Sequence, residues 1–187
     1  MIRTLLISAM LIAISSTQVF AENTCTKGHY TQVMPDHKGV TFGMPIAKAK
    51  DALQKSYGAK ARVSLSDGKI SVKLKDAHQE VFDQLLFLSA DGRVTVMIWS
   101  YSNTFQSKLG GIGPAFMGVL KKVKDKVGGA DESDKVEGGM KFIWSTRDGM
   151  SLGITGKDPN MVVMRFECNV LIDEIESRLR DTTNMGF

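Results

Sequence analysis

The segment Phe82–Tyr101 carries the strongest structural signal in the sequence, because it reads as two β-strands joined by a tight turn. Both halves of the segment are rich in aliphatic and aromatic residues, and Asp91 and Gly92 between them form a residue pair that hairpin turns favour. We therefore predict an antiparallel β-hairpin here, and the rest of the chain is organised around it.

The length of the turn decides which residues of this hairpin face each other. A two-residue loop places Phe87 opposite Val96, whereas a three-residue loop with a left-handed Gly92 places Leu88 opposite Val94. We prefer the three-residue loop, because it gathers apolar side chains on one face. The residues of that face are Phe82, Leu86, Leu88, Val94, Val96 and Ile98.

The opposite face of the hairpin is also apolar, which is unusual for a surface built to face water. We select five of its residues as candidates for binding a partner: Leu85, Phe87, Met97, Trp99 and Tyr101. Two outcomes are open. Either the first or the last helix covers this face and makes it core, or the face is open and forms an aromatic patch of the kind that anchors protein contacts.

The N-terminus reads as a secretory signal peptide covering residues 1–21. Arg3 is followed by an apolar run, Leu5–Ile14, which is too short to cross a membrane, and Ala21 ends a small-residue cleavage site. We expect a periplasmic or secreted product without an integral membrane segment after cleavage.

The chain contains two cysteines, Cys25 and Cys168. In an oxidising compartment such a pair forms a disulfide, and the absence of a CxxC motif favours a structural bond. Metal binding by the two cysteines is the alternative.

Two further elements precede the central hairpin. Pro45 opens a helix with apolar residues at helical spacing, and Gly58 ends it. A second hairpin turns at Asp67-Gly68, where a two-residue loop pairs Leu65 with Ile70 and leaves a polar opposite face.

The second half of the chain shows a similar succession of elements. Residues 102–113 read as a flexible linker, and Pro114 opens a second helix that ends at Gly128-Gly129. An acidic loop, Asp131–Asp134, leads into three strands, and Asn169 caps a short last helix. The predicted strands are Met140–Thr146, Met150–Ile154 and Met161–Cys168.

These elements predict an α+β fold, with an antiparallel sheet and helices packed on one face. A helix precedes antiparallel strands twice, so residues 22–187 form a single domain with two possible α-then-β repeats, 40–101 and 113–168.

Several short motifs resemble small exported α/β-repeat proteins. The nearest named families are the outer-membrane assembly lipoproteins (small protein A, or BamE-like) and the tandem-repeat β-lactamase inhibitor proteins. The resemblance covers the layout of roughly residues 40–168 and implies action by protein–protein contact rather than catalysis. This chain lacks a lipid-accepting cysteine, and no functional residue transfers. The motifs are Phe42-Gly43-Met44-Pro45, Leu86-Phe87-Leu88, Asp91-Gly92-Arg93-Val94, Trp144, Met150–Ile154 and Met161–Phe166.

Local signatures of catalysis are missing from the sequence. No histidine has a metal-ligand partner at helical spacing, no GxSxG motif occurs, and the net charge of +4 is too mild to suggest nucleic acid. We therefore expect a binding protein without a cofactor, acting on an unknown protein partner. The alternatives are a carrier of a small apolar ligand, or an enzyme with a non-local site formed by residues such as His78, Asp83 and Asp148.

Overall fold

The structure is a computed structural model that describes residue 25 and residues 29–76, 80–147, 149–157 and 161–184. The predicted signal peptide, residues 1–21, lies outside the described residues, and so do His78 and Asp148.

Eight antiparallel strands form one sheet in the order β1-β2-β3-β4-β8-β7-β6-β5. Each half of the chain supplies four consecutive strands, and the halves meet where β4 pairs with β8. An α+β fold with an antiparallel sheet is thereby confirmed. The strands are β1 Ala61–Ser66, β2 Lys69–Leu74, β3 Phe82–Ala90, β4 Arg93–Tyr101, β5 Glu132–Val136, β6 Gly139–Arg147, β7 Met150–Lys157 and β8 Met161–Cys168.

Four α-helices accompany the sheet in the described part of the chain: α1 Ile46–Tyr57, α2 Asn103–Lys108, α3 Ile112–Val127 and α4 Asn169–Asn184. Short 3₁₀ helices span His29–Val33 and Gly58–Lys60. As predicted, α1 follows Pro45, and glycines with left-handed backbone follow α1 and α3 (Gly58, φ 52°; Gly128, φ 89°).

Three segments differ from the sequence prediction. Part of the expected linker is α2, which forms because the Ser102 side chain accepts a hydrogen bond from the backbone N–H of Phe105. Most of the expected acidic loop is the edge strand β5, and the last helix reaches Asn184.

The turn between β1 and β2 is confirmed as a two-residue loop. Asp67 and Gly68 both have positive φ (48° and 68°), and Leu65 pairs with Ile70.

The register predicted for the central hairpin is wrong. Gly92 does have positive φ (69°), but Asp91 does as well (48°), so these two residues form a two-residue loop closed by Ala90 and Arg93. Beyond the turn, the register shifts because Thr95 is an extra residue in β4.

A second irregularity lies at Asp83, an extra residue in β3. We predicted that Phe82 and Val94 share a face with Leu86 and Ile98. They do not, because each extra residue moves the side chains beyond it to the other face of the sheet. Leu86 instead pairs directly with Ile98.

We call the face of the sheet that carries Trp99 the inner face, and the opposite one the outer face. Buried side chains continue along the inner face from strand to strand, as in the row Val72, Leu85, Trp99, Met164 and Ile154.

Helices α1 and α3 pack against different strands of the sheet. Helix α1 contacts β1 and β2, and buries Ala49 and Leu53 in the core. Helix α3 contacts β7 and β8, where the absence of a side chain at Gly156 lets the ring of Phe116 approach; a Cβ there would lie 2.7 Å from the ring. Helix α4 contacts β4 and β7 and buries Leu171 and Ile175.

The predicted disulfide is confirmed. Cys25 and Cys168 are bonded, with Cα atoms 5.6 Å apart, and both residues are fully buried. The bond attaches the N-terminal segment to the end of β8.

Candidate binding surfaces

Four of the five candidate binding residues belong to the core. Leu85, Phe87, Met97 and Trp99 are between 0% and 2% exposed, so they do not form an open patch. The face is therefore covered, and the N-terminal segment, which the prediction did not include, contributes to the cover.

Aromatic packing fixes Trp99 within the core. Its ring makes edge-to-face contacts with Phe166 (5.4 Å between centroids) and Phe87 (6.4 Å). Truncation of Trp99 would leave a cavity between three strands.

Tyr101, the fifth candidate, is half-buried at the end of β4. Its ring packs against Phe82 and Phe105, and its hydroxyl donates to the sulfur of Met164 at 2.9 Å. Burial raises the pKa of Tyr101.

The N-terminal cover, which we define as residues 29–44, lies over the centre of the inner face. The backbone of Gly43 donates to the carbonyl of Val94 at 2.8 Å, and the N–H of Val94 donates to the carbonyl of Met44 at 2.9 Å. The hydroxyl of Tyr30 donates to the carbonyl of Ser145. A cavity of only about 50 Å³ remains beside Met97.

Two signals in the sequence indicate this cover. Tyr30, Val40 and Phe42 are spaced apolar residues, and all three are buried. The disulfide predicted between Cys25 and the last strand also required this segment to cross the sheet.

The outer face of the sheet differs from the inner face in chemistry. Its centre is apolar, with Leu86 opposite Ile98 and Leu88 opposite Val96. Val96 is 5% exposed, and the other three are half-buried. One row of outer residues runs across all eight strands: Ser64, Ser71, Leu86, Ile98, Arg165, Gly153, Ile143 and Glu132.

The next row of the outer face has two cations at one end and a pair of opposite charges at the other. Arg62 and Lys73 stand at one end, and Lys141 and Asp134 at the other. The complete row is Arg62, Lys73, Gln84, Ser100, Val163, Thr155, Lys141 and Asp134.

A groove lies between α3 and the strands β5 and β6. Among the described helices, none contacts these two strands as closely as α1 contacts β1. It consists of two cavities of about 320 and 330 Å³. Met117 and Met140 at the first cavity are 59% and 41% exposed. The side chains lining the groove include Phe116, Met117, Met140, Leu120, Lys124, Phe142 and Trp144.

Asp83 is the one residue of the suggested non-local catalytic site that lies in the described part of the chain. Burial raises the pKa of Asp83, which lies at the bulge of β3, but the two residues proposed to act with it lie outside the described part of the chain. His29 lies 3.4 Å from the carbonyl oxygen of Val127. Among the described residues, no three metal-ligating side chains come together.

None of the helices described in the structure combines the length and apolar character needed to cross a membrane. Comparison with known protein families, curated proteins and solved structures found no match.

Proposed function

We propose that the chain is an exported binding protein that contacts a protein partner through the outer face of its sheet. The observation that carries the proposal is a contrast between the two faces of β3 and β4. Both faces are apolar, but the N-terminal cover lies over the inner face and not over the outer one. An apolar centre with a polar rim is the usual anatomy of a protein interface.

Export to the periplasm or the medium is part of the proposal. It is supported by the signal-like residues 1–21 and by the buried disulfide, since structural disulfides persist in oxidising compartments. An expected consequence is that the mature chain begins near Glu22.

We also propose that the two halves are repeats of one helix–four-strand unit. Ile46 and Ile112 begin α1 and α3, 66 positions apart, and Asn103 and Asn169 begin α2 and α4 with the same spacing. The strand pairs β3/β7 and β4/β8 each begin 68 positions apart. This order supports a scaffold like that of the tandem-repeat inhibitors, and the packing of α1 and α3 supports helices on the inner face.

Photo-crosslinking tests the proposal directly. Benzoylphenylalanine replaces Ser100, which lies at the centre of the outer face, and in a matched control it replaces Lys55, which is exposed on α1. In extract from the source envelope, we expect a discrete protein adduct with the first variant and none with the second. Equal adducts from both positions, or none, would contradict the proposal.

A second candidate function is supported by the groove beside α3. Its first cavity, about 320 Å³, is at the lower end of the range that holds a small apolar ligand. Titration with the apolar dye N-phenyl-1-naphthylamine should then produce fluorescence that Met140→Glu removes. Unchanged fluorescence in that variant would exclude the groove.

A further inference from the structure

The outer face of the β1–β2 hairpin concentrates positive charge. Arg62 lies directly opposite Lys73, and Lys69 lies two residues before Ser71 on the same face; all three cations are exposed. Like charges directly opposite each other in a sheet are destabilising. At the other end of the same row, by contrast, Asp134 lies opposite Lys141, which is a favourable pairing.

Nothing in the described part of the chain neutralises the two facing cations by an ion pair. The described ion pairs lie elsewhere and include neither Arg62, Lys69 nor Lys73. The hairpin therefore retains a repulsion that an external anion would relieve.

Polar side chains beside the cations complete a shallow cleft of about 150 Å³ lined by Arg62, Ser64, Ser71 and Lys73. The side-chain amide of Gln84, on the next strand, donates to Oγ of Ser71 at 3.0 Å. Because Oγ accepts this bond, the hydroxyl proton of Ser71 is available to a ligand. The hydroxyl of Ser64 donates to the carbonyl of Ser71 at 3.5 Å. The cleft thus offers a guanidinium, an ammonium and the hydroxyl proton of Ser71.

We propose that this cleft binds the carboxylates of an acidic segment on the protein partner. The inference rests on the proposed function and adds the chemistry that the partner presents. A carboxylate fits the planar guanidinium of Arg62 with two parallel hydrogen bonds, and the flexible ammonium of Lys73 takes a neighbouring carboxylate.

The charge distribution along the sheet favours an acidic protein segment over a membrane. The far end of the outer face carries both signs, with Glu132 and Asp134 beside Lys141, so an anionic bilayer across the whole face would meet repulsive as well as attractive charges. A short acidic segment would meet only the cations of the first hairpin.

Titration of the isotope-labelled mature protein tests the inference, with hexaglutamate, inorganic phosphate and phosphatidylglycerol vesicles as separate probes. Hexaglutamate should shift the amide signals of Ser64 and Ser71, and the shift should weaken as salt is raised. Arg62→Gln combined with Lys73→Gln should reduce affinity about tenfold. Lys48→Gln combined with Lys55→Gln, two exposed lysines of α1, has the same net charge and should change nothing.

The cleft variant should melt at the same or a higher temperature than the parent, since the substitution removes a repulsion. A lower melting temperature would mean that the cations serve the fold and would overturn the inference. Equal loss of affinity in both double variants would overturn it as well. Vesicle or phosphate binding that is stronger than hexaglutamate binding, and equally dependent on Arg62, would overturn the assignment to a protein partner.

The crosslinking experiment separates this inference from the proposed function. Capture of a protein at Ser100 without hexaglutamate binding would refute the acidic segment and leave the outer face as the interface. Hexaglutamate binding at Ser64 and Ser71 without any captured protein would support the anion cleft and refute the proposed function.

Discussion

The two faces of the hairpin β3–β4 have similar apolar composition and opposite surroundings. Trp99 on the inner face is 1% exposed, whereas its neighbour Ile98 on the outer face is half-buried. The difference does not come from the hairpin, since both faces carry large apolar side chains. It comes from chain that begins at least 38 positions before the hairpin, the N-terminal cover (residues 29–44), whose residues Tyr30 and Phe42 are buried in the same core. Hydrophobicity alone therefore does not distinguish a covered face from a partly open one.

The largest expected effect comes from a comparison of two adjacent residues of β4, one on each face of the sheet. Trp99→Ala should reduce the free energy of unfolding by about 3–5 kcal/mol, because it removes a buried aromatic side chain and leaves a cavity. Ile98→Thr, the matched outer-face variant, should cost less than about 1.5 kcal/mol, because the side chain is only half-buried and remains β-branched. Urea unfolding curves measure both. Similar losses in the two variants would mean that the outer face is core as well.

The first hairpin illustrates what the sequence could predict about these faces. Regular alternation along β1 and β2 and the Asp67-Gly68 turn predicted both register and faces correctly, because no bulge interrupts that pair of strands. In β3–β4 the extra residues Asp83 and Thr95 break the alternation, and neither residue type signals a bulge. The register failed for that reason.

The next prediction concerns the disulfide that attaches the N-terminal segment to β8. Replacing Cys25 and Cys168 together with serine should cost about 2–4 kcal/mol, because the bond closes a loop with a sequence separation of 143 residues. Thiol titration of the denatured parent protein should find no free thiol, as the bond requires. Two titratable thiols, or an unchanged unfolding midpoint in the double variant, would contradict the role given to the bond.

The candidate binding site was less predictable than the strands, for a physical reason. Burial of Met97 depends on contacts with a distant, mainly polar segment, whereas strand formation depends on local alternation. The acidic composition of Asp131–Asp134 likewise suggested a loop, although cross-strand pairing with β6 makes Glu132–Val136 a strand.

A smaller effect concerns the turn that joins the two faces. Gly92→Val should cost about 1–2 kcal/mol, since the left-handed backbone (φ 69°) is strained for a β-branched residue, while open space around Gly92 excludes a clash. Gly113→Ala in α3 is the control: its φ is not left-handed and its surroundings are open, so stability should stay equal or rise. Thermal unfolding compares them. Equal midpoints for Gly92→Val and the parent would contradict the assigned turn.

The smallest expected effect appears only at alkaline pH. The pKa of Tyr101 is raised by burial above its ordinary value of 10.0, so the unfolded chain loses this proton first. Stability should therefore fall as pH rises above about 10, and Tyr101→Phe should remove part of that fall. Below pH 9 the slopes of parent and variant should match. Identical slopes above pH 10 would show that the phenol is solvated.

Partner capture by an outer-face variant tests the central claim, that the outer face binds while the inner face holds the fold together. Leu86→Thr combined with Ile98→Thr changes two residues directly opposite each other at the centre of that face. The variant should unfold within about 2 kcal/mol of the parent and lose most of the crosslinked adduct at Ser100. Full retention of the adduct in a folded variant would contradict the account, and the groove beside α3 would then be the next surface to examine.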